Sequence, residues 1–185
     1  MPEKNNVIAE LTADHREVEE MFARLKALEP GDEQARDVAD EFTMELVRHA
    51  VAEEQYLYPA VREHVSGGDA LADKELEDHG KIEQLLKDLE GLPSDDANFG
   101  PLVDRLITEV TAHVEDEEGQ LFPALLAACS FEQLDELGEK VRQAKKTAPT
   151  RPHPHAPDTP PANKILGLGT GLVDRLRDAL SGRGK

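Results

Sequence analysis

One short pattern occurs twice in this chain and constrains its fold more than any other feature. Residues 48–61 read RHAVAEEQYLYPAV and residues 112–125 read AHVEDEEGQLFPAL, so a His, a Glu four residues later and an aromatic–Pro–Ala step recur. A second pair of matches, around His15 and His79, has the same offset of 64 residues. Because two separate matches share one offset, the sequence predicts a duplicated helical hairpin.

Four helices are predicted from apolar residues and histidines that alternate at spacings of three and four. In the first segment this rhythm runs from Ile8 to Leu25. Turn-forming residues interrupt it three times, with EPGD at 29–32, SGGD at 66–69 and GLPSDDANFGP at 91–101. Because short connections make consecutive helices antiparallel, we expect an all-α fold, an up-down-up-down four-helix bundle.

The composition limits the classes of partner. The 185 residues carry a formal net charge of −18 and 32% are charged, so the chain lacks a basic face for nucleic acid but attracts cations. No segment approaches the roughly 20 apolar residues that a membrane span needs. A single cysteine, Cys129, excludes a disulfide framework. No signal peptide is visible, so we expect a cytoplasmic protein.

The four histidines of the repeat are predicted to share one layer of the bundle. In antiparallel helices, two residues lie at the same height when the turn falls midway between them. The midpoint of His15 and His49 falls in the first predicted turn, and that of His79 and His113 falls in the third. All four side chains are therefore expected to point into the bundle at nearly the same height.

A glutamate follows each histidine by four residues, which places both side chains on one helix face. The pairs are His15/Glu19, His49/Glu53, His79/Glu83 and His113/Glu117. A hydrogen-bonded core histidine beside a solvated glutamate explains any single pair well. Four pairs in register do not fit that explanation, because burying several carboxylates together is prohibitive without a countercharge. The layer therefore predicts bound cations, and imidazoles with carboxylates suit metals such as iron.

Together these elements resemble the hemerythrin-like, or HHE cation-binding, domain. The resemblance covers about residues 5–128 and depends on His15, His49-Ala-Val-Ala-Glu53, His79-Gly-Lys-Ile-Glu83 and His113-Val-Glu-Asp-Glu117, in the expected helix order. It implies two iron ions in the bundle core, joined by an oxo or hydroxo group. It also implies that His15 and His49 bind one iron, that His79 and His113 bind the other, and that Glu53 and Glu117 bridge the two.

Glu83 is a departure from the oxygen-carrying hemerythrins, which have a second histidine at this place in the third helix. We expect Glu83 still to bind iron, and its negative charge favours ferric over ferrous iron. Reversible oxygen carriage needs a stable diferrous state, so redox chemistry or sensing is favoured instead. Glu19 duplicates Glu83, and we expect it to be an occasional ligand or a residue that supports the ligands.

Two functions of different class follow from such a centre. As an enzyme, it would decompose hydrogen peroxide with metals that cycle between redox states. As a binding module, it would sense O2 or NO, or store iron, and signal through the tail. A ferritin-like carboxylate oxidase is disfavoured, because that class uses Glu-x-x-His spacing whereas each Glu here follows its His by four residues.

Other residues near the layer are given ordinary roles. We expect Tyr56 to pack rather than to hydrogen-bond at the metals. Glu54 and Glu118 each follow a bridging glutamate and are expected to be solvated. Pro59 and Pro123 recur at the same place in the repeat and are expected to kink or end the second and fourth helices.

The composition divides the chain into four predicted parts. These are the bundle over residues 1–128, an additional short helix over 129–147 with Ser130 as its N-cap, a Pro-rich linker over 148–163 and an amphipathic segment over 164–185. The linker is expected to be extended or disordered, with His153 and His155 solvated.

The last segment is predicted to form a helix with one apolar stripe. Leu172, Val173, Leu176 and Leu180 form the stripe, with Asp174, Arg175, Arg177 and Asp178 opposite. We expect this helix either to dock loosely on the bundle and fray, or to mediate self-association or contact with a protein partner. Its balanced charge gives little support for membrane binding.

Overall fold

The computed structural model describes residues 6–181 and, within them, every side chain except those of residues 165, 166 and 168. This part of the chain is helical and contains no strand. Its α-helices are α1 (Val7–Lys26), α2 (Glu33–Ala52), α3 (Tyr58–His64), α4 (Gly68–Leu89), α5 (Phe99–Asp116), α6 (Phe122–Ala128), α7 (Phe131–Thr147) and α8 (Ala162–Ser181). Two π-helical turns, π1 (Glu53–Leu57) and π2 (Glu117–Leu121), join α2 to α3 and α5 to α6. The predicted all-α bundle is confirmed.

The bundle consists of four helical rods, because π1 and π2 continue their helices instead of breaking them. The rods are α1, α2–π1–α3, α4 and α5–π2–α6. α1 packs against α2, and α4 packs against α3 and α5. Glycine supplies the positive φ that the turns need, with values of 85° at Gly31 and 76° at Gly67. Two predicted breaks are too wide, since α4 already begins at Gly68 and α5 at Phe99. The first turn of a helix tolerates Gly and Pro, so these residues did not mark its start.

The buried apolar side chains form two clusters, with a polar layer between them. The larger cluster contains Phe22, Phe42 and Leu106, and the smaller one contains Leu11 and Leu125. On each rod, the histidine of the repeat lies between residues of the two clusters. Full burial of one Leu or Phe side chain contributes about 1.5–3 kcal/mol. The clusters therefore offset the cost of placing charged groups between them.

α7 covers one side of the bundle and lies where the sequence predicts an additional helix. Ser130 begins it with a capping box, in which the Ser130 side chain accepts from the Gln133 N–H and the Gln133 side chain accepts from the Ser130 N–H. Leu134 and Val141 pack into the smaller cluster. The helix contacts α1 and α2, and so it supports the two rods that carry the first pair of histidines.

Residues 148–161, which we call the strap, lie against α4 and lead into α8. Pro149 and Pro152 are buried, so of the two expectations for the linker, an extended path or disorder, disorder is wrong at these residues. The Arg151 Nη1 lies 2.9 Å from Glu90 Oε1, and the His153 N–H donates to Glu83 Oε1 at 2.8 Å. These contacts explain why a Pro-rich segment holds a defined path along the bundle.

α8 contacts the strap through its acidic side, with Asp174 and Asp178, and not through its apolar stripe. Asp174 and Asp178 are buried, and Asp174 Oδ2 accepts from the N–H groups of Thr150 at 3.3 Å and Arg151 at 3.2 Å. The N–H groups of Thr150 and Arg151 and the cationic side chain of Arg151 require acceptors, and the carboxylates of α8 supply them. An apolar face could not do so.

The apolar stripe of α8 consequently faces outward. Leu172, Val173, Leu176 and Leu180 are between 51% and 89% exposed. No helix within residues 6–181 is long and apolar enough to cross a lipid bilayer.

Candidate metal centre

Four buried histidines converge in the polar layer. The Nε2 atoms of His15 and His49 lie 3.2 Å apart, and those of His79 and His113 also lie 3.2 Å apart. None of the four residues is more than 6% exposed. The structure therefore brings the predicted histidines together as two pairs.

Each imidazole is held by a carboxylate at its other nitrogen. The Nδ1 atoms lie 2.9 Å from Glu118 in His15, 3.1 Å from Asp14 in His49, 2.9 Å from Glu54 in His79 and 2.8 Å from Glu75 in His113. An ionised carboxylate can only accept, so each Nδ1 carries a proton and donates. The Nε2 of each ring is then aimed at the partner ring. Histidines that bind metals are held in this way.

The sequence does not predict that these four carboxylates hold the imidazole rings. Glu54 and Glu118 are partly buried and each holds one ring, so the prediction that they are only solvated is wrong. Asp14 and Glu75 were not singled out at all, although each is buried and orients one ring. Asp14 directly precedes a repeat histidine, and Glu75 lies one helical turn before another. A carboxylate one turn before a seam histidine was the signal that could have identified Glu75.

Two fully buried glutamates span the two histidine pairs. Glu53 Oε1 lies 3.1 Å from His49 Nε2, and its Oε2 lies 3.3 Å from His79 Nε2. Glu117 Oε2 lies 3.4 Å from His15 Nε2 and 3.6 Å from His113 Nε2. Glu53 Oε1 and Glu117 Oε2 have no hydrogen-bond partner. A buried carboxylate oxygen without a partner is costly, which fits the donor set of a metal.

The possible ligand atoms form overlapping groups, two of which share Glu53 while a third joins Glu75 to His113 and Glu117. Nitrogen and oxygen atoms of His15, His49, Glu53 and Glu117 lie within 4.8 Å of one another, and so do those of Glu53, His79 and His113. Imidazole nitrogens with carboxylate oxygens are the donors that iron accepts. The residues present therefore fit the binding of a metal such as iron.

The buried carboxylates need nearby positive charge, and the histidines can supply it as protons. Burial by itself lowers the pKa of His49, but the charge of Glu53 and the hydrogen bond with Asp14 raise that pKa to about 10. Burial also lowers the pKa of His79, but hydrogen bonds with Glu53 and Glu54 outweigh burial and raise that pKa well above its usual value. When one Nε2 atom of a histidine pair carries a proton, it can donate to the other Nε2, so that two nitrogen lone pairs do not face each other. A metal ion would replace such protons.

The π-turns place the glutamates and the residues that follow them. The Tyr58 N–H donates to the Glu53 carbonyl, and the Phe122 N–H donates to the Glu117 carbonyl, five residues back in each case. Pro59 and Pro123 lack an N–H and would clash with the carbonyl four residues earlier in a regular helix. The wider turn removes this conflict, so the predicted ends or kinks are replaced by π-turns.

The wider turn also brings Tyr58, rather than Tyr56, to the centre. The Tyr58 hydroxyl lies 2.9 Å from His79 Nε2 and donates to Glu117 Oε1 at 3.0 Å. Burial and then the charge of Glu117 raise the pKa of Tyr58 well above its usual value, so the phenol keeps its proton. Tyr56 lies outside the centre, with the Lys164 ammonium 4.1 Å from its ring centroid. The regular period of an α-helix places Tyr56, and not Tyr58, on the side of the centre, so the sequence pattern does not predict the role of Tyr58.

Two predicted site residues lie away from the cluster. Glu19 is exposed and pairs with Arg16 at 2.5 Å. Glu83 is half-buried at the edge of α4, and its Oε1 accepts the His153 N–H. The structure brings together the other six predicted residues and does not bring these two to them.

Comparison with known proteins agrees with this arrangement. Residues 6–125 match the family model of the hemerythrin HHE cation binding domain. An uncharacterized hemerythrin-like protein of Schizosaccharomyces pombe is 29% identical over 168 residues, which cover 90% of this chain and 82% of that protein. A DNA nickase of a Nostoc species is 30% identical over 142 residues, which cover 76% of this chain and 39% of that protein.

A solved structure shares the fold. It is the crystal structure of a hemerythrin HHE cation binding domain-containing protein from Mycobacterium kansasii. It superposes with a TM-score of 0.67 at 22% identity and covers 76% of this chain and 85% of that one. At this identity the likeness shows the bundle and its topology.

Proposed function

We propose that this chain, which belongs to the hemerythrin HHE cation-binding family, is a non-haem di-iron protein that reacts with or senses O2, hydrogen peroxide or NO. One observation carries the proposal: two pairs of imidazoles face each other through Nε2 at 3.2 Å while every Nδ1 is held by a carboxylate. Side chains that only stabilised a core would not be buried with their ring nitrogens opposed in this way.

The six converging residues divide naturally between two ions. His15 and His49 would hold one iron, and His79 and His113 the other. Glu53 and Glu117 would bridge them, since each carboxylate contacts one histidine of each pair. The mixed nitrogen and oxygen donors favour iron over calcium or magnesium, which prefer oxygen alone.

Glu83 as a further ligand stays a prediction. Its carboxylate accepts a hydrogen bond from the strap, so it would have to release His153 before it could bind iron. Glu19 is exposed and bound to Arg16, and we leave it out of the proposed ligand set.

Two bound iron ions would supply electrons to a small oxygen or nitrogen species. The chain itself excludes bulk water, because the ligands lie between two apolar clusters. The carboxylates at Nδ1 hold the rings in place and keep their ligand nitrogens aimed inward. Tyr58 keeps the proton of its hydroxyl and donates a hydrogen bond to Glu117 Oε1 at 3.0 Å, which positions that carboxylate.

Decomposition of hydrogen peroxide and sensing of O2 or NO are distinguished by one experiment. Iron-loaded protein is mixed with hydrogen peroxide in a sealed oxygen-electrode cell. Catalytic release of O2 over many turnovers would support the enzyme. A single stoichiometric spectral change with no O2, together with a stable NO adduct, would support the sensor. Loss of all reactivity toward the three molecules would contradict the proposal and leave iron storage.

The likeness to a DNA nickase does not extend that protein's activity to this chain. The match covers 39% of the nickase, and a net charge of −18 opposes contact with phosphates. Self-association through the exposed stripe of α8 also stays a prediction, which light scattering of the purified protein would test.

A further inference from the structure

We propose that the space enclosed by α2, α4, the strap and α8 is a binding site for a small uncharged molecule. From this site the molecule would meet the histidine layer, and this last step rests on the proposed function. The site itself depends on features outside the metal ligands. The C-terminal segment, which follows the matched family domain, forms one of its walls.

The cavity is closed on one side by the centre and on the other by the C-terminal segment. Its volume is about 130 Å³, and His49, His79 and His113 lie in its inner wall. Apolar cavities of about 150 Å³ in other proteins bind benzene or xenon. The space therefore suits a molecule of at most about six non-hydrogen atoms.

Most of the lining is apolar on both sides. Leu46, Val51, Ile82 and Leu86 come from the bundle, and Pro149 and Pro157 come from the strap. Gly167 of α8 completes the outer wall. Such a lining favours a ligand that gains more from leaving water than from polar contacts.

Most charged side chains at the border have partners, and Asp158 is exposed to solvent. Arg151 Nη1 lies 2.9 Å from Glu90 and its Nη2 lies 2.8 Å from Asp178. His153 Nε2 lies 2.8 Å from Asp174 Oδ2. The acidic border residues Glu54 and Glu83 accept hydrogen bonds from His79 and His153. The charge of Arg151 is balanced by two carboxylates and Asp158 is exposed, so an ion in the apolar interior would lose its water without meeting an unbalanced buried charge. The site therefore favours uncharged molecules.

Two polar atoms of the lining residues lack a hydrogen-bond partner, Arg151 Nε and Asn163 Oδ1. Asn163 is 5% exposed, and its Oδ1 makes no hydrogen bond, while its Nδ2 donates to the Asp158 carbonyl at 3.0 Å. A ligand with an O–H or N–H group could donate to this oxygen.

Xenon, iodide and caesium ion test the preference for an uncharged ligand, because the three are isoelectronic and differ in charge. Amide resonances of the full chain are followed as each is added to equal concentration. We expect xenon to shift the amides of Val51, Gly80 and Gly167, and the two ions to leave them unchanged. No shift with xenon, or equal shifts with either ion, would overturn the proposal.

Two glycines of α8 test whether the C-terminal segment forms the site. A Cβ at Gly171 would lie 2.3 Å from the Thr147 carbonyl oxygen, whereas a Cβ at Gly169 meets nothing within 4 Å. Gly171→Ala should therefore lift α8 from the strap and weaken xenon binding roughly fivefold. Gly169→Ala has the same effect on helix propensity and should bind xenon as the natural chain does. Equal xenon binding in both variants would contradict the role of the segment.

A third variant fills the cavity and leaves α8 in place. Val51→Phe should abolish the xenon shifts while the Thr150 and Arg151 amides keep their hydrogen bonds to Asp174. Persistent xenon shifts in this variant would place the binding elsewhere and overturn the proposal. Because these measurements need no iron, their failure is distinct from failure of the di-iron function, which the peroxide experiment decides.

Discussion

The two halves of the candidate metal centre come from one repeat, yet they differ beside the histidines. Phe122 stacks on His15 with ring centroids 5.8 Å apart. The equivalent residue 64 positions earlier is Tyr58, whose hydroxyl lies 2.9 Å from His79 Nε2. The repeat keeps the backbone, the π-turn and the ligand positions in both halves. The one added oxygen atom, the hydroxyl of Tyr58, gives the His79/His113 half a hydrogen-bond donor that Phe122 does not give the other half.

The carboxylates that orient the rings also differ between the halves. His49 is held by Asp14, which directly precedes His15, while His113 is held by Glu75, one turn before His79. The cavity reaches three of the four histidines and does not reach His15. The duplicated scaffold therefore sets the positions of the histidines and bridging glutamates. The neighbouring hydrogen-bonding groups and the contact with the cavity differ from one half to the other.

Removing one ligand from either half should have the largest effect. His49→Ala and His113→Ala should each lower the metal content from about two iron ions per chain to one or fewer, because each removes a buried donor and leaves its partner ring unopposed. Metal analysis after reconstitution measures the loss. His155→Ala, at an exposed residue of the strap, is the control. Two iron ions retained in either buried variant would contradict the ligand assignment.

The orienting carboxylates should matter in both halves despite their different origins. Asp14→Asn and Glu75→Gln keep the shape but remove the charge that fixes the Nδ1 proton, and each should weaken metal binding by about 10–100-fold. Competition with a chromophoric chelator gives the affinities. If only one variant loses affinity, then only that half depends on a carboxylate at Nδ1, and the two halves are less alike than their geometry indicates.

The hydroxyl of Tyr58 is the sharpest difference between the halves. Tyr58→Phe makes the second half resemble the first and leaves Glu117 Oε1 without its donor, so the free energy of unfolding should fall by about 1–2 kcal/mol. Urea unfolding without added metal measures this loss. Tyr56→Phe, outside the centre, should change stability by less than about 0.5 kcal/mol. Equal effects of the two variants would show that the Tyr58 hydroxyl has no special role.

The smallest expected effect concerns the strap. The hydrogen bond with Asp174 raises the pKa of His153 despite partial burial, with Glu83 acting in the same direction and Lys87 against it. A raised pKa means that protonated His153 stabilises the docked strap. This contribution is complete below the ordinary histidine pKa of about 6.5 and is lost as pH rises through the raised pKa.

Hydrogen exchange of two strap amides measures this effect. Protection of the Thr150 and Arg151 amides, corrected for intrinsic exchange, should fall roughly threefold across that pH window. The fall should be absent in His153→Gln and unchanged in His155→Gln. A fall that survives in His153→Gln would assign the pH dependence to another group.

The bundle and the six converging residues could be predicted because both follow from periodicity. A spacing of four places His49 and Glu53 on one face of any helix, and a shared offset of 64 places the duplicates at the same height. Tyr58 could not be predicted in the same way, because π1 inserts an extra residue into the turn and changes which side chain faces the site. Pro59 marks the place of the π-turn in the sequence, but a proline alone predicts a kink or a helix end equally well.

The C-terminal segment was misjudged for a different reason. Sequence periodicity shows that α8 is amphipathic but not which face is buried. The apolar face of α8 is exposed, because the strap presents N–H groups and Arg151 to the helix and these need carboxylate acceptors. The partner of a helix, and not its own pattern, decided the orientation.

The most direct test of the central claim is a crystal structure of iron-reconstituted protein with anomalous data collected at the iron edge. The account predicts two anomalous peaks in the buried layer, one between His15 and His49 and one between His79 and His113, with Glu53 and Glu117 in contact with both. A layer that contains only water after reconstitution, with the same rings hydrogen-bonded to each other, would contradict it.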